Sequence, residues 1–334
     1  MRKVKRGLLL ICTLAAVLFV SSFFAWEASA KEREVYLGGM PAGFTLGMGG
    51  AQVVGMCEVL TEEGVVCPAK DAGVEVGDII VSLNGMRIRS AADIDAALTA
   101  AGTKAEISLR RKDENTRTSI KPAQDLASGK KKLGVLIRDS VSGIGTVTYI
   151  EKQTLRFGSL GHAVSDEGGK LLEAGDGNIF RCSIVGVVRG ERGRAGELKG
   201  LFLNENRVAK ADKNCESGIY GNFGKEYDCS GLKTVPIGDE AKPGTASILT
   251  TVDGVAPKEY EIGIVKVDAG NRQNKNFVIK ITDDELLAQT GGIVQGMSGS
   301  PIMQDGKLIG AVTHVFLNDP TRGYGIAISN MLGN

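Results

Sequence analysis

The chain has 334 residues, with 40 Lys and Arg against 39 Asp and Glu, 43% hydrophobic and 24% charged residues. That length holds two domains, the balance excludes a disordered polymer, and the near-zero net charge gives no basic surface for nucleic acid or anionic lipid. Glycine is abundant, at 46 residues, and aromatics are only 5%, which favours a turn-rich, mainly β architecture over a helical bundle.

At the N-terminus Arg2, Lys3, Lys5 and Arg6 precede an uncharged, largely apolar run from Gly7 to Trp26, and Ala28-Ser29-Ala30 follows. The layout predicts a signal peptide over 1–30, or an uncleaved anchor, since the apolar run is long enough to span a bilayer. Either way the remainder is exported. It carries 36 basic against 38 acidic residues once the four leader bases and Glu27 are removed. Five cysteines remain, an odd number: Cys57, Cys67, Cys182, Cys215 and Cys229. Cys215 and Cys229 bracket a Gly/Asn/Tyr-rich loop and are the best disulfide candidates in an oxidising compartment, with free buried thiols an equal alternative. Two histidines and no Cys-x-x-Cys argue against a zinc site, and no metal or cofactor is expected.

A small module is expected over 37–122. Its core runs from Pro68 through Ala72-Gly73, Gly77-Asp78-Ile79-Ile80 and Asn84-Gly85: a helical turn, a glycine corner, a strand and an Asn-Gly turn. Ser90 and Asp93 then cap a helix whose Ile94 and Leu98 share a face, and Ala105 to Arg110 reads as a closing strand. This segment resembles a PDZ domain of the bacterial protease-associated type. Such domains take an extended peptide as an added strand, with a glycine-containing loop holding its carboxylate. The resemblance puts Gly43 and Phe44, within Met40-Pro41-Ala42-Gly43-Phe44, in that loop.

Residues 123–132 shift to Gln, Asp, Ser, Gly and three lysines, which reads as a solvated linker. A second domain is expected over 133–334. Short β-like runs such as Gly145–Ile150, Ile184–Val188, Glu261–Lys266 and Phe277–Ile281 are spaced by glycine turns without long helices, which indicates a sandwich or barrel.

Near its end the chain reads Gly296-Met297-Ser298-Gly299-Ser300-Pro301, then the turn Asp305-Gly306 and a strand from Lys307 to Phe316. A serine between small neighbours at the mouth of a hairpin suits a trypsin-like nucleophile, with the backbone N–H groups of Gly296 and Ser298 as the oxyanion hole. Ser298 is preferred to Ser300, which adjoins Pro301 and holds the turn. A base is needed, and of the two histidines His162, in the glycine-flanked loop Gly161-His162-Ala163, is the choice. His314 falls on the strand after the hairpin, where it would wall a substrate pocket. Asp139, Asp166, Asp283 and Asp284 are all conceivable orienting carboxylates, and spacing does not choose among them.

Leu160-Gly161-His162, the run Ile281 to Leu287, and the block Thr290 to Ile302 resemble the motifs of the stage IV sporulation protein B peptidases of endospore-forming bacteria. The similarity covers nearly the whole chain. It implies a PDZ domain followed by a chymotrypsin-like double β-barrel, with Ser298 as nucleophile, His162 as base and Asp283 as acid. It also implies a signalling peptidase released by the forespore into the intermembrane space. Such an enzyme cleaves itself and a membrane-bound inhibitor within the complex of an intramembrane metalloprotease, which activates the sigma K precursor. The competing reading is a non-catalytic PDZ adaptor on a degenerate barrel. An esterase of the α/β-hydrolase type is disfavoured because residue 300 is serine, so the Gly-x-Ser-x-Gly elbow is missing.

Overall fold

The computed structural model describes residues 33–334 apart from 113, 167–168, 173–176, 204–206, 239 and 334. The leader expected over 1–30 lies outside the described residues. No helix among them is long and apolar enough to cross a membrane.

Strand β1 (Glu34–Leu37) leads into the sixteen-residue β2 (Pro41–Met56). A compact insertion follows: hairpin β3 (Val59–Thr61) and β4 (Gly64–Val66), α1 (Pro68–Asp71), β5 (Ile79–Leu83), β6 (Met86–Arg87), α2 (Ala91–Ala100), β7 (Ala105–Arg111), β8 (Glu114–Ile120), β9 (Ala123–Gln124) and β10 (Lys131–Lys132). The seventeen-residue β11 (Val135–Glu151) then returns antiparallel along β2, from Val135 opposite Met56 to Thr146 opposite Pro41.

The insertion is the PDZ module. Its core gathers Val53, Ile80, Leu83, Ile94, Leu98, Ile107, Leu109 and Ile120, each of which contributes about 1.5–3 kcal/mol when fully buried. The sequence signals act as expected here. Ser90 and Asp93 form a reciprocal capping box at α2, and Asn84-Gly85 turns with positive φ at both residues (49° and 77°). Asp78 is 1% exposed and takes a two-pronged ion pair from Arg111, through Nε at 2.7 Å and Nη2 at 2.8 Å. Burial alone would raise its pKa, but Arg111 and the Glu75 N–H outweigh burial and hold it low.

The first barrel continues through β12 (Arg156–Ser159), β13 (Gly177–Val188), β14 (Glu197–Phe202), β15 (Ala209–Cys215), β16 (Gly218–Phe223) and β17 (Thr234–Pro236). Pairings run β2–β11–β12–β16–β15–β13 and back to β2, a ring of six strands. Phe44, Leu46, Val147, Ile150, Phe157, Ile179, Ile219 and Phe223 fill it. The second barrel is closed by β18 (Gly244–Thr250), β19 (Lys258–Val267), β20 (Phe277–Ile281), β21 (Pro301–Gln304), β22 (Lys307–Phe316) and β23 (Asp319–Ala327). It encloses Ile248, Ile262, Ile279, Ile281, Ile302 and Val312. Short helices α3 (Asp284–Thr290) and α4 (Ile328–Met331) sit at its margins.

Three expectations change. The chain does not finish a PDZ domain and then begin a barrel: the first half of β2 is a stave of the first barrel, and the PDZ module is inserted between β2 and β11. Gly43 and Phe44 are consequently no carboxylate loop. They lie mid-strand, opposite Ile144 and Gly143 of β11 on one side and opposite Phe180 and Ile179 of β13 on the other, with no edge left for a peptide. The expected linker over 123–132 is an ordered hairpin of β9 and β10. Asp125 organises it, accepting from the Ser128 N–H and hydroxyl and pairing with Lys132 at 2.8 Å.

Candidate active site

Two loops, one from each barrel, meet at a cleft. After β12 the chain bends through Leu160 and Gly161, both left-handed (φ 65° and 68°). For leucine that conformation costs on the order of 1–3 kcal/mol. Glycine is required next, because a Cβ at 161 would lie 2.8 Å from Thr313 Cγ2 and 2.9 Å from Ile326 Cγ2 of the second barrel. This close approach delivers His162 to the boundary between the barrels.

From the second barrel, α3 ends at Gly291 (φ 73°) and the chain runs on to Ser298 and β21. A Cβ at Gly299 would sit 2.1 Å from the Thr146 carbonyl oxygen and 2.5 Å from the Leu160 nitrogen, so the Ser298 loop lies directly on the first barrel. Thr146 N–H donates to the Ser298 carbonyl at 2.9 Å, and the Thr146 and Thr148 hydroxyls donate to the carbonyls of Gly296 and Gly299 at 2.9 and 2.7 Å. Ser300, fully buried, donates to the Thr250 hydroxyl at 2.9 Å. Asp305 and Gly306 (φ 51° and 77°) form the hairpin turn that the sequence indicates.

His162 and Ser298 line one cleft of about 390 Å³, together with Thr313 and His314. The Ser298 hydroxyl donates to the Thr313 carbonyl at 2.7 Å. His162 Nδ1 is 2.8 Å from the Ala163 carbonyl oxygen. A carbonyl only accepts, so Nδ1 carries the proton and Nε2 keeps its lone pair, the tautomer a general base requires. Desolvation lowers the His162 pKa, opposed in part by that carbonyl. The His314 ring lies 5.0 Å from the His162 ring, centroid to centroid. Its pKa is pushed down to about 4, by desolvation first and then by His162 and Lys275. Both imidazoles are therefore neutral at pH 7. The N–H groups of Gly296 and Ser298 have no hydrogen-bond partner among the described residues.

The carboxylates fall elsewhere. Asp283 is the N-cap of α3, accepting from the Leu286 N–H at 2.9 Å and, more weakly, from the Glu261 N–H at 3.4 Å. It is not among the residues lining the cleft, and no contact among the described residues joins it to His162. Asp284 opens the same helix, Asp139 accepts from the Ala91 N–H at the start of α2, and Asp166 accepts from the Lys170 N–H. No carboxylate belongs to the described lining of the cleft. Cys215 and Cys229 are free: Cys215 ends β15 opposite Gly218, and Cys229 follows β16 by six residues. Among the described residues no cluster of His, Cys, Asp or Glu could hold a metal ion. Sequence reasoning missed Thr313, whose backbone holds the serine and whose buried hydroxyl has no partner. It also missed the Ala163 carbonyl, and backbone acceptors leave no side-chain signal to read.

Two six-stranded barrels with a serine loop and a histidine loop at their junction, and a PDZ module inserted in the first barrel, define a PDZ-bearing serine peptidase of the double-barrel class. The family model described as SpoIVB peptidase S55 matches residues 129–332, and one for a PDZ domain matches residues 63–111. The chain belongs to the SpoIVB peptidase S55 family. It is also similar to the serine protease HTRA1 of Xenopus tropicalis, with 35% identity over 57 residues, 17% of this chain and 12% of that protein. This chain thus spans about an eighth of that relative's length. Among solved structures, the PDZ domain of the SdrC-like protein from Listeria monocytogenes matches at 20% identity. That match covers 26% of this chain and 86% of that one, with a TM-score of 0.21.

Proposed function

We propose that this chain is an exported serine endopeptidase in which Ser298 attacks the scissile carbonyl and His162 is the general base. The observation that carries the reading is the meeting of Ser298 and His162 across the barrel junction, with His162 Nδ1 tied to a carbonyl and Nε2 open. In the resting geometry the serine proton points to Thr313. Rotation about the Ser298 Cα–Cβ bond transfers that hydrogen bond to His162 Nε2. The hydroxyl proton then passes to Nε2 as Oγ bonds the carbonyl carbon, and the oxyanion is received by the Gly296 and Ser298 N–H groups. The imidazolium returns its proton to the leaving amine, and water repeats the sequence on the acyl-enzyme. The resemblance gives the acid role to Asp283; in this conformation the Ala163 carbonyl does the orienting.

Family membership supports a role in sporulation signalling: self-cleavage, then cleavage of a membrane-associated regulatory protein at the sigma K checkpoint, in the forespore intermembrane space. The basic, apolar and Ala-x-Ala pattern of residues 1–30 supports export. Insertion of the PDZ module within the β2–β11 ribbon supports its control of the cleft, because Phe44, Leu46, Val141 and Ile144 of that ribbon are cleft residues. Labelling of the purified chain by a fluorophosphonate, abolished by Ser298→Ala, tests the reading. A folded chain that neither labels nor cleaves protein is instead an adaptor.

A further inference from the structure

The walls of the cleft on either side of Ser298 select what it can cut. One wall is Ile293, Val294 and Gln295, the segment leading to the oxyanion loop; facing it are Thr313, His314 and Val315 near the end of β22. The facing strand is irregular: the β22–β23 register shifts between Val312 opposite Gly325 and Val315 opposite Gly323. Gly323 of β23 packs against both walls, because a Cβ there would meet the His314 carbonyl oxygen at 2.3 Å and Ile293 Cδ1 at 2.6 Å. Ile293 thus already fills the space over Gly323 and limits the depth. Apart from the two imidazoles, both held neutral at pH 7, no described residue of the lining carries an ionisable side chain.

A substrate carbonyl whose oxygen rests on the Gly296 and Ser298 N–H groups places the side chain of its own residue between these two walls. On the leaving side, residues 140–145 of β11 pair with β2 along one edge only. Thr146 on that strand already donates its N–H to the Ser298 carbonyl. The stretch from Ser142 to Ile144 just before it is a cleft-lining strand edge to which the substrate's leaving half can add.

We infer that this cleft takes an extended polypeptide with a short or branched aliphatic side chain, such as Ala, Val, Ile or Leu, on the residue that supplies the scissile carbonyl. A Lys, Arg, Asp or Glu at that position would be desolvated with no counter-charge, and a large aromatic ring would collide with Ile293. The inference rests on the peptidase reading and adds the substrate class.

The test is mass-spectrometric mapping of every cut that the purified chain makes in a diverse denatured protein mixture, with Ser298→Ala run in parallel. Cuts that vanish in Ser298→Ala and follow aliphatic residues, with charged residues depleted on the order of 100-fold, are the expected result. Serine-dependent cuts following mainly charged or large aromatic residues overturn the inference and leave the peptidase intact. An absence of serine-dependent cuts overturns both. Val315→Asp, at a half-buried position on the wall, supplies the missing counter-charge and should raise cutting after Lys and Arg at least about tenfold. Unchanged selectivity in a folded Val315→Asp chain would show that this wall does not read the side chain.

Discussion

The Ser298 hydroxyl donates to the Thr313 carbonyl, and His162, lining the same cleft, is not hydrogen-bonded to it. The pair is assembled but not engaged, and Thr313 is its latch. The Thr313 hydroxyl is buried without a partner, an arrangement that costs about 1–3 kcal/mol. Thr313→Val keeps the shape and the latching carbonyl while removing that orphan. It should leave the melting temperature unchanged or raise it, as measured calorimetrically. A fall of several degrees would mean that the hydroxyl has a partner in solution.

The two serines separate cleanly. Ser298→Ala should lower kcat by at least about a thousandfold with the fold intact, since in the proposed mechanism it removes the attacking oxygen. Ser300→Ala deletes a buried hydroxyl paired with Thr250 and should cost about 1–2 kcal/mol in urea unfolding while leaving kcat per folded molecule near wild type. The reverse pattern would move the nucleophile to Ser300.

In the proposed mechanism His162 works as a base only when neutral, and desolvation puts its pKa below the ordinary value of 6.5. The acid limb of kcat/KM should therefore have its midpoint below pH 6.5. His314, its ring 5.0 Å from that of His162, is the neighbouring group that can gain positive charge, and Lys275 carries charge beside His314. Stability has the same sign. Where the unfolded chain takes up protons and the two depressed histidines do not, unfolding free energy rises with pH, so stability falls from about pH 6.5 towards 4. A midpoint above 6.5 would show that His162 is more solvated, or closer to a carboxylate, than here.

Asp283 offers a choice between two roles. As the α3 N-cap it is worth about 1 kcal/mol, lost in Asp283→Ala and largely restored in Asp283→Ser, because a serine hydroxyl caps equally well without charge. If capping is the whole role, Asp283→Ser should keep kcat/KM within about threefold of wild type. A folded Asp283→Ser chain with activity down about a thousandfold would instead bring this carboxylate to His162 during turnover.

Local chemistry was legible in the sequence wherever a short motif determines its own geometry. The Ser90/Asp93 box, the Asn84-Gly85 and Asp305-Gly306 turns and the glycines around Ser298 all act within a few residues of themselves. The partnership of β2 was not legible. Gly43 to Gly47 pairs with β11 and, through Gly43–Thr45, with β13, roughly a hundred residues or more away in sequence, and its glycines resemble a loop until those partners are in place. The same holds for Thr313 and Ala163, whose contribution is a backbone oxygen, a group that every residue possesses. Asp283 takes the acid role from the family resemblance alone, and spacing leaves Asp139, Asp166, Asp283 and Asp284 open, because a carboxylate at a helix N-cap and one beside an imidazole look alike in sequence.

The inserted topology makes a last demand. A chain truncated to the family-matched span 129–332 lacks β2, and with it Phe44 and Leu46, two core side chains of the first barrel. Each is worth about 1.5–3 kcal/mol, and the loss also opens the backbone edges of β11 and β13. That truncation should fail to fold cooperatively. Leu46 lies opposite Val141 and Gly47 opposite Ser140, so residues 49–138 can be replaced by an Asn-Gly turn joining Met48 to Asp139. The shortened chain, with residues 35–48 retained, should unfold in a single transition and be labelled at Ser298 by a fluorophosphonate. A folded, labelled 129–332 fragment would show that β2 is dispensable and that the first barrel closes without it.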